Sequence, residues 1–340
     1  MNLNLLFSLA AILVLGCVGY FVPNAGLQMF FGVILPYIAV LTFLCGVIWR
    51  VMKWAKSPVP FRIPTTCGQQ QSLPWIKQNK IDNPSTTTGV IIRMFFEIFL
   101  FRSLFRNTKA EIKDGDKISY EWEIFLWVGA LAFHYSFLTV LVRHLRFFFE
   151  DTLLKEKLFF VGIIETLDGF FQIGLPIVLI SGFVLLAAVL FLLSRRVLNP
   201  QVKYISLAAD YFPLLLIAGI AATGLWMRYI ERVDVTAIKQ ITLGIVSFNW
   251  TSIDVMKSVS GTFYLHLFFI CTLLIYFPFS KLMHAAGVFL SPTRNLANNS
   301  RMVRHINPWN PEVKVHSYES YENDFREKMI EAGLPVDKES

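Results

Sequence analysis

Charge is scarce in this chain. Only 16% of its 340 residues are Asp, Glu, Lys or Arg, where a soluble domain carries about 25%. That shortage excludes a water-facing surface over most of the length. Cysteine is almost as sparse. Cys17, Cys45, Cys67 and Cys271 are scattered, with no C-x-x-C pair and no C-x-x-C-H site. Covalent haem attachment is therefore excluded, and any haem would be b-type, held by ligands alone. Three of the cysteines fall in or beside apolar runs and read as packing residues. Cys67, in a polar loop, has no basic or metal-binding context to activate it. A basic amino-terminal region is missing as well: Met1-Asn2-Leu3-Asn4 is uncharged. The apolar run Leu3–Val22 therefore reads as a retained span, not as a signal peptide.

What is present is apolar. Hydrophobic residues make up 55% of the chain, 32 of them phenylalanine, and the mean hydropathy is +0.53. This is the composition of an all-α, polytopic membrane protein. The net charge of +7 reads as loop charge on one side of the membrane, not as a nucleic-acid surface. Membrane lipid is the expected surrounding and nucleic acid is not a partner.

Six spans are expected, at 3–22, 29–52, 122–145, 160–193, 205–227 and 259–287. They divide the chain into four parts. Residues 1–54 form two amino-terminal spans, with Trp49, Arg50, Lys53 and Trp54 as an interfacial anchor. Residues 55–120 form a basic loop interrupted by prolines. Within it, 89–106 sets Phe95, Phe96, Phe99 and Phe101 against Arg93, Glu97, Arg102 and Arg106, the pattern of a helix lying along the membrane. Residues 121–287 form a four-helix domain, and 288–340 a polar tail with a short helix near Tyr318. Six spans put both termini on one side. The 50–120 loop, the 194–204 turn and the tail share that side and carry most of the 31 basic residues, which makes it cytoplasmic. The expected location is the cell membrane, multi-pass, with both termini cytoplasmic.

Four of the six histidines lie in the spans, where such residues are costly and point to function; His305 and His316 lie in the tail. His134 and His144 are ten residues apart, and His266 and His284 eighteen. The two spans run in opposite directions, so His134 opposes His284 near the cytoplasmic side and His144 opposes His266 near the outer side. Rises of about 15 Å and about 27 Å differ, so the helices must tilt or bend, and Pro278 is the expected kink. Two pairs on facing helices suit four axial ligands for two b haems in a helical bundle. A haem-free proton-coupled transporter, or merely structural histidines, would use the same residues.

The residues around the histidines carry a resemblance. Pro36-Tyr37-Ile38-Ala39, Ser194-Arg195-Arg196 with Pro200, and Leu265-His266-Leu267 through Phe277-Pro278-Phe279-Ser280-Lys281-Leu282-Met283-His284 resemble the membrane cytochrome b (gamma) subunit of respiratory nitrate reductase and its relatives, over 30–287. The resemblance implies that His134 and His284 bind the inner haem b, and His144 and His266 the outer one. The extra first span, the 55–120 loop and the tail segments Asn307-Pro308-Trp309-Asn310-Pro311, Val315-His316-Ser317-Tyr318 and Ala332-Gly333-Leu334-Pro335-Val336 are similar to DsrM-type cytochromes of the sulfite-reduction-associated complex. That similarity implies menaquinol as electron donor and a heterodisulfide-reductase-like iron–sulfur subunit at the cytoplasmic face. It further implies a multihaem cytochrome c, a ferredoxin-like iron–sulfur subunit and a second quinone-interacting membrane subunit, with the trisulfide of a small sulfur-carrier protein as acceptor. A nitrate reductase or heterodisulfide reductase membrane subunit is the alternative within the class.

One departure matters. The nitrate reductase family places a lysine at its outer quinol site, and the matching position near Phe170 has none. Glu165 and Asp168 stand nearby, on one helix face, and become the candidate acceptors of the quinol protons. Arg143 and Arg146 are candidate propionate partners of the outer haem, and Arg195 and Lys281 of the inner one; membrane-interface anchoring would place the same four cations. Trp309 and Tyr318 are candidate anchors for a docking partner.

Overall fold

The computed structural model describes residues 2–57, 68–113, 117–169, 177–301 and 315–337. Cys67, Phe170, His305 and Trp309 lie outside the described residues.

Helix α1, Leu3–Val22, starts at Asn2, whose side chain accepts from the Asn4 amide. Its turn into α2, Leu35–Ala55, bends at Gly26, where φ is 101°. Only glycine takes that value without strain. After the basic loop, α3 spans Thr87–Leu100, capped by Thr86, and α4 spans Arg102–Phe105. A hairpin of β1 (Thr108–Lys113) and β2 (Lys117–Trp122) follows, pairing Thr108 with Trp122. These two short strands lie in the stretch expected to be the end of the basic loop.

The central helices come next: α5 (Ile124–His144), short α6 (Asp151–Glu156), α7 (Phe159–Asp168), α8 (Ile180–Leu198), α9 (Pro200–Ile205) and α10 (Ala208–Trp226). The expected span 160–193 is thus not one helix. Helix α7 ends at Gly169, and only α8 is long and apolar enough to cross. The physical reason is Asp168, whose buried carboxylate turns to partners on α5 and α8 instead of continuing along one apolar rod. Beyond α10, the connection holds α11 (Val235–Ser247) and α12 (Ile253–Ser258) before α13 (Gly261–Tyr276), α14 (His284–Gly287) and α15 (Tyr318–Glu331).

Among the described residues, six helical segments are long and apolar enough to cross a membrane: Leu3–Leu27, Phe30–Ala55, Ile124–Phe147, Ile180–Leu198, Ala208–Glu231 and Gly261–Phe279. Helix α5 packs along α8, while α13 packs along α1, α2 and α10. Large apolar side chains such as Phe7, Leu13, Leu41, Phe125 and Leu190 point outward, the surface that lipid requires. Leu185, Val189, Ile217 and Ala221 form the core between α8 and α10.

Each end of the bundle has its own cap. At the end that receives residue 2, here called lower, the Asn4 side chain donates to the Ser206 carbonyl. There the loop before α3 is locked to residues 291–300. Asp82 accepts from Arg102 at 2.7 Å and from Arg106, Asn298 donates to Asn83 at 2.5 Å, and Arg294 donates to Glu97 at 2.7 Å. At the opposite, upper end, α11 and α12 fold over the spans. Ile238, Ile241, Met256, Phe263 and Tyr264 are buried together, and the Tyr264 hydroxyl donates to the Met256 carbonyl at 2.7 Å.

Candidate functional site: two opposed histidine pairs

Helix α5 carries His134 toward the lower end and His144 at its upper end. Helix α13 runs the other way and carries His266 near its upper start. The His144 and His266 rings stand 6.5 Å apart, inclined by 23°. The His134 and His284 rings stand 6.0 Å apart, inclined by 86°.

His284 reaches its place differently from the expected kinked helix. Helix α13 ends at Tyr276, a tight turn covers Phe277–Phe279, and Ser280 is extended. Pro278 lacks the amide that a continuing helix needs. The Ser280 hydroxyl then accepts from the Leu282 amide and starts the Lys281–Met283 turn. His284 therefore sits beyond a full break, on α14.

Hydrogen bonds fix which ring nitrogen is free. The Nδ1 atoms of His134, His144 and His284 lie 2.8, 2.6 and 2.9 Å from the carbonyls of Ala130, Val140 and Lys281. A carbonyl only accepts, so each Nδ1 carries the hydrogen and leaves the Nε2 lone pair available. For His266 the partner is the Thr223 hydroxyl at 2.8 Å. That hydroxyl also lies 2.8 Å from the Gly219 carbonyl, so it donates there and accepts from His266. Gly224 leaves room for the ring: a Cβ at 224 would lie 3.2 Å from His266 Cε1.

This arrangement fits haem. Metal–imidazole bonds of about 2 Å on each side, plus the ring's own half-width, would put the two centroids of a ligand pair about 6 Å apart. No cluster of three or more His, Cys, Asp or Glu suited to a bare metal ion occurs among the described residues. Two-ligand sites of this kind suit an ion whose other ligands come from a macrocycle.

All four cations expected at propionates are held by carboxylates. Arg143 donates to Asp168 at 2.5 Å, Arg146 to Glu165, Arg195 to Glu123 at 2.8 Å, and Lys281 to Asp210 at 2.7 Å. The first pair is deeply buried, the side chains being 10% and 5% exposed. Asp168 also accepts from the Ser181 amide and hydroxyl, each at 2.7 Å. Its lone pairs are thus engaged in tying α7 to α5 and α8.

Glu165 has a different setting. With Arg146, Phe147, Asp151, Phe159, Val161, Gly162, Val235 and Lys239 it lines a cavity of about 570 Å³. Phe147 connects this cavity to the upper pair, its ring 5.7 Å from that of His144. Asp168 is not among the lining residues. Sequence reasoning missed Thr223, Asp151 and Lys239. Lys239 was hidden because it arrives from α11, some seventy residues beyond the place where a lysine was sought.

Fold and site together define a polytopic membrane protein with one histidine pair near each end of its bundle. The chain belongs to the nitrate reductase gamma subunit family, whose model matches residues 105–305. It is 42% identical over 285 residues to the Hdr-like menaquinol oxidoreductase cytochrome b-like subunit of Archaeoglobus fulgidus, covering 83% of each chain. The protein of the same description from Archaeoglobus profundus is 42% identical over 286 residues, again covering 83% of each.

Proposed function

We propose that this chain is the quinol-oxidising cytochrome b subunit of a membrane oxidoreductase, with menaquinol as donor. The observation that carries the proposal is the pair of opposed histidine sites at the two ends of one bundle, with the Glu165 cavity beside one of them. Similarity to proteins described as menaquinol oxidoreductase subunits supports the choice of quinol. His134 and His284 would hold one haem b, and His144 and His266 the other. Haem b bound in this way supplies transfer of one electron at a time.

The chain's own residues do the rest. The upper end faces outward in this reading, because the described parts of the basic 50–120 stretch sit at the lower end. Glu165 takes a proton from a quinol hydroxyl, and Arg146 holds its carboxylate toward the cavity. Asp168, the second expected acceptor, serves instead to fix Arg143 and the start of α8. Val140 and Thr223 orient the upper imidazoles, and Ala130 and Lys281 the lower ones, so that each presents Nε2. Electrons leave at the lower end to an iron–sulfur subunit resembling heterodisulfide reductase, docked on the 68–107 and 291–300 platform and on the tail around Tyr318. The multihaem cytochrome c, the ferredoxin-like subunit and a second quinone-interacting membrane subunit complete the complex.

The test is the visible spectrum of the purified complex, titrated with menadiol. Two b-type haems per chain, reducible by menadiol, are expected. Glu165→Gln should slow that reduction about a hundredfold, the usual worth of a positioned base, while dithionite still reduces both haems. A colourless preparation, or an unchanged rate in the variant, would overturn the haem or the Glu165 assignment respectively.

A further inference from the structure

The upper cavity carries a second ion pair that the proposed function leaves unused. Lys239 Nζ lies 2.5 Å from Asp151 Oδ1. Lys239 is 25% exposed, and Asp151, at 78%, opens to water. Both line the same cavity as the Arg146–Glu165 pair. The two halves of the cavity are fastened to each other, because the Thr242 hydroxyl of α11 donates to the Phe147 carbonyl at 2.5 Å.

The remaining lining is apolar: Phe147, Phe159, Val161 and Val235. At Gly162, on α7, an added Cβ would meet nothing within 4 Å. A volume of about 570 Å³ is ample for a bicyclic aromatic headgroup, since ligand pockets run from about 300 to about 1,000 Å³. Charged groups on two sides of an apolar slot suit a flat ring with a polar atom at each end.

We infer that Lys239 and Asp151 complete the quinol site: with one ring oxygen at Glu165, the second ring oxygen is held by the Lys239–Asp151 pair across the same cavity. The inference rests on the quinol-oxidising reading above. Oxidation of a hydroquinone to a quinone breaks two O–H bonds and releases two protons and two electrons. One proton goes to Glu165. The other goes to Asp151, which passes it to the water it faces. Lys239 donates a hydrogen bond to the oxygen that Asp151 deprotonates, as both ring oxygens become carbonyls. The two electrons would be taken up one at a time by the haem that His144 and His266 would hold, with the iron–sulfur subunit as the final acceptor.

The experiment uses the purified complex and menadiol, following haem reduction optically, with dithionite-reducible haem as the control. Lys239→Ala should raise the KM for menadiol about tenfold, the worth of one charge-assisted hydrogen bond, and Lys239→Arg should restore most of the affinity. Asp151→Asn should lower kcat about tenfold with little change in KM. Gly162→Leu fills the cavity without touching a charge and should raise KM while leaving the haem spectrum unchanged. If menadiol reduces the wild type and neither Lys239→Ala nor Gly162→Leu alters KM, the cavity is not the quinol site, and the quinol-oxidising reading survives. If menadiol does not reduce the wild type at all, that reading itself falls, and this inference with it.

Discussion

At the upper histidine pair the imidazole planes are 23° apart; at the lower pair they cross at 86°. His266 is buried, 8% exposed, whereas His284 is exposed. Both upper histidines belong to long helices, and His266 is backed by Thr223 and Gly224 of a third. The lower pair hangs between α5 and a broken segment, and Phe101 covers it. The Phe101 ring lies 4.9 Å from that of His134. Its φ of 49° is rarely tolerated by a bulky residue. Trp127 and Tyr135 on α5 hold that turn by donating to the Leu100 and Phe99 carbonyls, each at 2.8 Å. The upper site includes a buried histidine; the lower one includes an exposed histidine beneath a turn fastened to α5. On the proposed function, that difference suits an electron entry at the upper pair and an exit at the lower one.

The largest effect should come from removing one ligand of each pair. On the proposed function, His266→Ala loses the upper haem and abolishes reduction by menadiol. His284→Ala loses the lower haem, keeps reduction by menadiol, and stops transfer to the iron–sulfur partner. Haem content per chain and the menadiol-reduced spectrum measure both outcomes. Loss of both haems from either variant would show that the two sites are not separable.

Next in size is the contrast between buried and exposed ion pairs. Arg143 and Asp168 at the upper end are both almost wholly buried, whereas in the lower-end pair Lys281 is 65% exposed and only Asp210, at 10%, is buried. Breaking a buried pair by removing one partner costs about 3–5 kcal/mol, while an exposed pair contributes about 1 kcal/mol or less. Arg143→Ala should therefore lower the unfolding temperature of the purified complex far more than Lys281→Ala. Equal shifts would mean that the upper end is as open to water as the lower one.

The same contrast governs what was legible in the sequence. Six apolar spans, the opposition of His134 to His284 and of His144 to His266, and α3 follow from hydropathy, spacing and alternating direction, whereas the break at Phe101 that divides the expected helix 89–106 into α3 and α4 does not. These are local periodicities. The break before His284 was only half legible: Pro278 announces a kink, but the extended Ser280 depends on its own capping of the next turn. The division of 160–193 into α7 and α8 was not legible, because it depends on Asp168 finding Arg143 across the bundle. Lys239 and Thr223 were invisible for a similar reason. Each joins the site through a contact spanning many residues, from a helix that carries no histidine.

The smallest effect should be the most selective. Thr223 accepts from the Nδ1 hydrogen of His266, and such a partner makes the imidazole a stronger donor to its metal. A stronger donor favours the oxidised ion. Thr223→Val keeps the shape and removes the acceptor, so on the proposed function a haem held by the upper pair should become easier to reduce. A hydrogen bond is worth about 1 kcal/mol, which corresponds to an upward shift of about 40 mV in a one-electron couple. A haem held by the lower pair, whose imidazoles are fixed by the Ala130 and Lys281 carbonyls, should not move. A potentiometric titration resolves the two, because crossed and near-parallel ligand planes give distinct low-spin resonance signals. A shift in the signal assigned to crossed planes would place Thr223 at the wrong pair. A shift in both would show that the two sites are coupled more closely than their separate hydrogen-bond partners imply.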